Sequence, residues 1–189
     1  MPTSVVPMLA TKVGAPFSRE GWLFEPKWDG YRAICFLRDG QVRFTSRNQR
    51  DLTKRFPELQ SIAKSIQAST AIIDGEIVAL DERGVQCFEQ LQNHRRDSAI
   101  LYFAFDLLYL DEESLADVPL IERKARLKRI LPKSTGGRIR YTDHGIPLLN
   151  GSVMFPVLLS GRDSFQLVRS VFTQHVLSKI VRLSPEHNQ

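Results

Sequence analysis

The apolar positions of this chain fall into short blocks, and the spacing inside each block predicts its element. Residues 1–20 are rich in proline, glycine and small residues and read as an extended lead-in to a strand over 21–25. Tyr31–Arg38 and Gln41–Ser46 flank Asp39-Gly40, two residues that tolerate positive φ, so these runs predict a β-hairpin. Phe56, Leu59, Ile62, Ala63 and Ile66 share one helical face. Pro57 stands at the start of that helix, where a missing amide hydrogen costs little. Residues 71–80 predict a strand with Asp74-Gly75-Glu76 in its middle, closed by the turn Asp81-Glu82-Arg83-Gly84. A short helix over Phe88–Asn93, an apolar aromatic strand over 100–110, a charged amphipathic helix over 120–131 after Pro119 and a short strand over 139–142 follow. Farther on, Phe165, Val168, Phe172, Val176, Ile180 and Leu183 recur at helical spacing. Strands and helices mix without a βαβ rhythm, which predicts an α+β fold with largely antiparallel sheets.

Composition narrows this only a little. A chain of 189 residues suffices for one domain, or one domain and a fragment. The hydrophobic fraction of 42% and charged fraction of 25% are those of an ordinary globular protein. A net charge of +5 mildly favours a polyanionic partner. Cys35 and Cys87 sit among apolar residues and predict buried free thiols in a reducing compartment. The histidines show no metal-ligand spacing. The N-terminus lacks the basic-then-apolar pattern of a signal peptide. The apolar run at 153–159 contains Pro156 and is too short to span a bilayer. A cytoplasmic location without a membrane partner is the expectation.

The candidate chemistry centres on Glu25-Pro26-Lys27-Trp28-Asp29-Gly30-Tyr31-Arg32. A lysine amine attacks phosphorus only in its neutral form, a small fraction near pH 7 for a free side chain. Desolvation and a nearby cation both favour that form. The aromatic neighbours and Arg32 are the groups expected to supply them.

This octet resembles the nucleotidyl-lysine motif of ATP-dependent DNA ligases, and three further segments resemble that family in the same order. They are Thr45-Ser46-Arg47-Asn48 with Asp51-Leu52-Thr53, then Ile73-Asp74-Gly75-Glu76-Ile77-Val78, then Tyr102-Phe103-Ala104-Phe105-Asp106-Leu107-Leu108. Pro7-Met8-Leu9-Ala10, Phe56-Pro57-Glu58 and Leu91-Gln92-Asn93 are similar to it as well, closest to the bacterial end-joining ligases. The resemblance implies an ATP-grasp-like nucleotidyltransferase domain over 1–144. Lys27 would attack the α-phosphate of ATP and hold AMP as a phosphoramidate. Glu25 would lie by the adenine edge, and Arg32 and Arg47 by the ribose and phosphates. Glu76 would hold the ribose or help place Mg²⁺ (or Mn²⁺), and Phe105 would stack on adenine. Asp29 is open to two readings, a site residue or a turn cap, and Asp106 carries no assigned role. The implied substrate is nicked or broken double-stranded DNA in repair and recombination, with bacterial end-joining proteins as partners. An RNA ligase, a capping-type enzyme and a degenerate nucleotide- or DNA-binding remnant are the alternatives. The aromatic strand and the Pro7-Met8-Leu9-Ala10 start favour DNA ligase.

After His144 the pattern departs. The family continues with Glu-Gly-x-Val-x-Lys, a Lys-x-Lys segment and an oligonucleotide-binding (OB-fold) barrel, and residues 145–189 match none of them. The fold is therefore expected to be incomplete at its C-terminus, with no OB-fold domain, and sealing to be impaired. The tail is open to two readings, a helix on the apolar face above or a shifted reading frame.

Overall fold

A computed structural model describes residues 1–8, 22–93, 99–134, 136–144, 146–147, 153–157, 166–170 and 179–182. In chain order the strands are β1 (Trp22–Glu25), β2 (Tyr31–Arg38), β3 (Gln41–Ser46), β4 (Thr70–Leu80), β5 (Ala99–Leu110), β6 (Glu113–Ser114), β7 (Ile139–Tyr141), β8 (Ile146–Pro147), β9 (Val153–Val157), β10 (Gln166–Ser170) and β11 (Lys179–Arg182). A 3₁₀ helix spans Pro57–Ser65, and the α-helices are α1 (Phe88–Asn93) and α2 (Leu120–Ile130).

The chain divides into two units, the first made of Met1–Met8 with Trp28–Tyr141. Its sheet runs β3-β2-β4-β5-β6, with β7 also paired to β5. The pairings are antiparallel except for β5 with β7, which is parallel. The β2–β3 turn forms as the sequence predicts: Asp39 has φ 52° and Gly40 φ 70°, the mirror-image turn geometry that matches strand twist. One sheet face carries the main core. Ala33, Cys35, Leu37, Ile73, Ile77, Ile100, Tyr102 and Leu107 pack there against Leu59 and Ile62 of the 3₁₀ helix, Leu91 of α1 and Leu127 and Ile130 of α2. All described helices of this unit thus lie on the core side, the segregation expected of α+β.

Near the centre of that core, Gly75 does what no other residue can. A Cβ there would lie 2.5 Å from the Tyr102 ring and 2.6 Å from the Phe103 carbonyl oxygen. Tyr102 crosses β4 through this slot, and its hydroxyl reaches the carbonyls of Ala33 and Ile73 at 3.0 and 2.9 Å.

The second unit comprises Leu9–Lys27 and Thr142–Gln189. In it β1 pairs antiparallel with β11, and β8, β9 and β10 form a three-stranded antiparallel sheet.

Several expectations need correction. The helix expected at 57 forms, and it is a 3₁₀ helix. Cys87 is only half-buried, whereas Cys35 is fully buried; both are free thiols. The helical reading of the tail fails where it can be checked: Val168 lies in β10 and Ile180 in β11. Phe165, Phe172, Val176 and Leu183 lie outside the described residues, as do residues 9–20 of the expected lead-in.

Candidate active site

The face of the first unit's sheet opposite the core is banded. Along β4 the residues alternate off the core as Ile72, Asp74, Glu76 and Val78. Ile72 belongs to an apolar cluster with Ile34, Phe36 and Tyr109, covered by Met1 and Val5. Val78 belongs to another with Leu101 and Phe103, covered by Trp28. Asp74 and Glu76 form a polar band between these two apolar ends.

Cross-strand register brings three predicted site residues to this band. Arg32 pairs with Glu76, and Glu76 with Phe103. The β4–β5 ladder shifts between Asp74 and Gly75, whose partners are Asp106 and Ala104, so Phe105 is an inserted bulge residue. The Arg32 guanidinium stands 5.4 Å from the centre of the Phe105 ring. Phe105 is 7% exposed, yet the apolar clusters of described residues do not include it.

Arg32 is held by two points of Asp74: Nε donates to Oδ1 at 3.0 Å and Nη2 to Oδ2 at 2.5 Å. Asp74 is 4% exposed and Arg32 15%, so the pair is largely withdrawn from water and its fork geometry is fixed. Composition of the motif then makes physical sense. Asp74 orients Arg32, Gly75 admits Tyr102 from behind, and Glu76 faces the band.

The loop before β2 depends on Gly30. A Cβ at that position would lie 2.1 Å from the Ile77 carbonyl oxygen and 3.1 Å from Glu76 Cγ, so backbone and Glu76 side chain approach as only glycine allows. Asp29 is exposed, and its backbone N–H donates to Gln86 Oε1 at 2.7 Å. The Trp28 ring stacks on Phe103 with centroids 3.8 Å apart.

The other predicted residues are placed differently. Arg47 is exposed and follows Ser46, the β3 residue paired with Ala33. Glu25 and Lys27 belong to the second unit. Glu25 is buried at the end of β1, opposite Lys179 in the backbone register. Lys27 is exposed. Asp106 goes to structure, taking Arg123 Nε and Nη2 at 2.8 and 2.9 Å. Asp51 and Thr53 shape the loop after β3: Thr53 N–H donates to Asp51 Oδ1 at 2.6 Å, and hydrogen bonding from the Thr53 hydroxyl and N–H holds the Asp51 carboxyl below its usual range.

Sequence reasoning missed Asp74 as the partner of Arg32, Tyr102 as the group that needs Gly75, and the buried Lys124. The first had a signal, since an acid two residues from Glu76 must share its face of the strand. Among the described residues, no group of three or more His, Cys, Asp or Glu is placed to hold a metal. Asp74 is engaged by Arg32, and Glu76 is the second carboxylate of the band. A hydrated divalent cation held mainly by phosphates needs no more than one or two carboxylates, so the donor set fits. A cavity of about 300 Å³ between the N-terminal segment and the β2–β3 hairpin, lined by Thr3, Phe36, Arg38 and Arg43 among others, contains none of the predicted residues. No helix among the described residues is long and apolar enough to cross a membrane.

Comparison with known proteins identifies the family. Residues 7–144 match the family model of the ATP dependent DNA ligase domain. The multifunctional non-homologous end joining protein LigD of Mycobacterium bovis is 40% identical over 128 residues, 67% of this chain and 17% of that protein. The LigD protein of Pseudomonas aeruginosa is 40% identical over 145 residues, 75% of this chain and again 17% of the relative. A solved structure described as mycobacterial DNA ligase D complexed with ATP and MES superimposes with a TM-score of 0.64 at 35% identity, over 74% of this chain and 46% of that one. The chain thus spans a minor part of the relatives it matches, and it belongs to the ATP-dependent DNA ligase domain family.

Proposed function

We propose that this chain is a nucleotidyltransferase that takes AMP from ATP onto Lys27, the first step of DNA ligation. The Lys27 Nζ attacks the α-phosphorus, a P–N bond forms, and the bond to the bridging oxygen of pyrophosphate breaks. Pyrophosphate leaves and the amine proton passes to solvent. Arg32, prealigned by Asp74, offers a rigid donor fork to phosphate or ribose, and Arg47 adds a second cation. Glu25 reads the adenine edge and Phe105 stacks on the base. Glu76 holds the ribose or one coordination position of Mg²⁺ (or Mn²⁺). The metal, when bound, offsets phosphate charge in the transition state. The observation that carries this reading is the polar band of Arg32 and Glu76 beside Phe105, on the sheet of a chain with the ligase family's Lys27 octet.

We further propose that residues 1–144 are the N-terminal part of an adenylation domain and that 145–189 form a divergent tail. That tail offers Lys179 as its lysine and Asp163 and Glu186 as its carboxylates, at spacings unlike the family's later motifs. Nicked or broken duplex DNA is the proposed acceptor of the AMP, with end-joining proteins as partners. Incubation with α-labelled ATP and Mg²⁺, followed by digestion and mapping, should place the label on Lys27. Label on another lysine, or label persisting in Lys27→Ala, refutes the assignment. The 189-residue chain alone should not seal nicked duplex DNA, since loss of even one oxyanion-stabilising donor typically costs ~10²–10³ in rate. Multiple-turnover sealing abolished by Lys27→Ala would show that the tail completes the site.

A further inference from the structure

The outer edge of β5 is only partly covered. β7 pairs with Tyr102–Ala104 and β6 with Tyr109–Leu110, so residues 105–108 between them have no described strand on that side. Carbonyl groups left in such a gap still need donors, because burial without one is costly. Leu115 N–H serves Leu108 O at 2.9 Å. At Phe105, the donor comes from a side chain of α2. Lys124 Nζ donates to Phe105 O at 2.9 Å and stands 5.4 Å from the centre of the Tyr141 ring. Lys124 is fully buried. Its neighbour Arg123 grips the next residue of β5, Asp106, with two donors, and ties itself to Val118 O at 2.7 Å. Two adjacent cations of one helix therefore hold two consecutive residues at the bulge.

Burying an ammonium is costly, and a neighbouring strand would satisfy a β5 carbonyl more cheaply. What the lysine allows, and a strand would not, is a backbone held off the regular ladder at the inserted residue. The ring so placed is the one that faces Arg32.

We propose that Lys124, seconded by Arg123, is a positioning residue that sets the Phe105 ring for the adenine base by gripping the bulge backbone. This rests on the proposed binding of ATP. A merely structural lysine would lower stability when replaced and leave nucleotide affinity of the folded protein alone. A positioning lysine must act on affinity through Phe105.

The test is equilibrium calorimetric titration with ATP and Mg²⁺, well below the melting temperature, on the full chain. Parent, Lys124→Met, Lys124→Arg, Phe105→Leu and the Lys124→Met/Phe105→Leu pair are compared. Lys124→Met should raise the dissociation constant about tenfold, and less than about twofold in the Phe105→Leu background, the non-additivity of residues acting through one another. Lys124→Arg, which keeps a charged donor, should recover affinity to within about threefold of the parent. Unchanged affinity in Lys124→Met, or effects that multiply independently in the double variant, overturns the inference. A parent that binds no ATP overturns the proposed function itself. A parent that binds ATP and labels at Lys27, with Lys124→Met unaffected, overturns only the positioning role. Where methionine does not fold, Lys124→Gln carries the same two outcomes.

Discussion

The Cβ that any residue other than glycine would carry at position 30 falls 2.1 Å from the carbonyl oxygen of Ile77. Backbone cannot yield at that distance without moving, so Gly30 and β4 meet through a glycine by necessity. Gly30→Ala should displace the loop and reduce Lys27 labelling by about 100-fold, the effect of an ångström-scale misplacement of reacting groups. Gly40→Ala is the control. Gly40 has φ +70° but nothing within 4 Å of its Cβ position. Its replacement should cost about 1 kcal/mol of stability and leave labelling intact. Labelling rates and urea melts of both variants check this.

Removing one partner of the Arg32–Asp74 pair leaves a charge with much of its water already stripped away. Asp74→Ala should therefore destabilise by about 3 kcal/mol, the lower end for a broken buried pair because Arg32 keeps some exposure. The Arg32→Met/Asp74→Leu pair should regain most of that stability and none of the labelling. Denaturant titration beside the labelling assay separates the two roles. Recovery of labelling in the apolar pair would remove Arg32 from the site.

Phe105 is the inserted residue of the β5 bulge, with the Arg32 guanidinium 5.4 Å from the centre of its ring. Phe105→Leu should then weaken ATP binding about tenfold, within the range of base–aromatic stacking. Its stability loss should stay under about 1.5 kcal/mol, as for other near-isosteric apolar exchanges. A sharp fall in melting temperature with unchanged ATP affinity would make it a core residue.

Alkaline pH should unfold this protein from its centre. Burial pushes the Cys35 thiol well above its usual range. Burial also raises the Tyr102 hydroxyl, and charge at Cys35 adds to that rise. Both folded values lie above the unfolded ones, so the stability each contributes is complete below the unfolded pKa, about 8.5 for cysteine and about 10 for tyrosine. It is lost progressively as pH rises beyond those values. Melting temperature should fall between about pH 8.5 and 10.5, and Cys35→Ala should flatten the first part of that slope. A flat profile in the parent contradicts it.

What the sequence made legible is local. Asp39-Gly40 announces its hairpin because positive φ at two successive positions restricts the choice of residues. Leu59 and Ile62 fit three residues per turn as well as 3.6, so spacing alone left the helix type at 57 open. β5 is apolar nearly throughout, so no alternation marks Phe105 as an insertion. Lys124 sits in a helix of charged residues, where a lysine reads as a solvent-facing one until its target carbonyl is known. In the tail, short blocks of leucine, valine and arginine suit a strand as well as a helix, and the longer period misled. Of the site, the Lys27 octet and Glu76 were visible as motifs. The grip of Asp74 on Arg32 depends on which strands are neighbours, which no single segment states.

The Tyr102 hydroxyl has one proton and two acceptors, the carbonyls of Ala33 on β2 and Ile73 on β4. Ala33 follows Arg32 in the chain, and Ile73 precedes Asp74. The phenol therefore rivets two strands beside the ion pair, from the core side, away from the polar band. Shear of β2 along β4 by a single residue would tear that rivet as well as misalign the guanidinium. Resistance to such sliding is thus mounted on the core side of the sheet, and the donor fork keeps its aim without any contact of its own to the phenol.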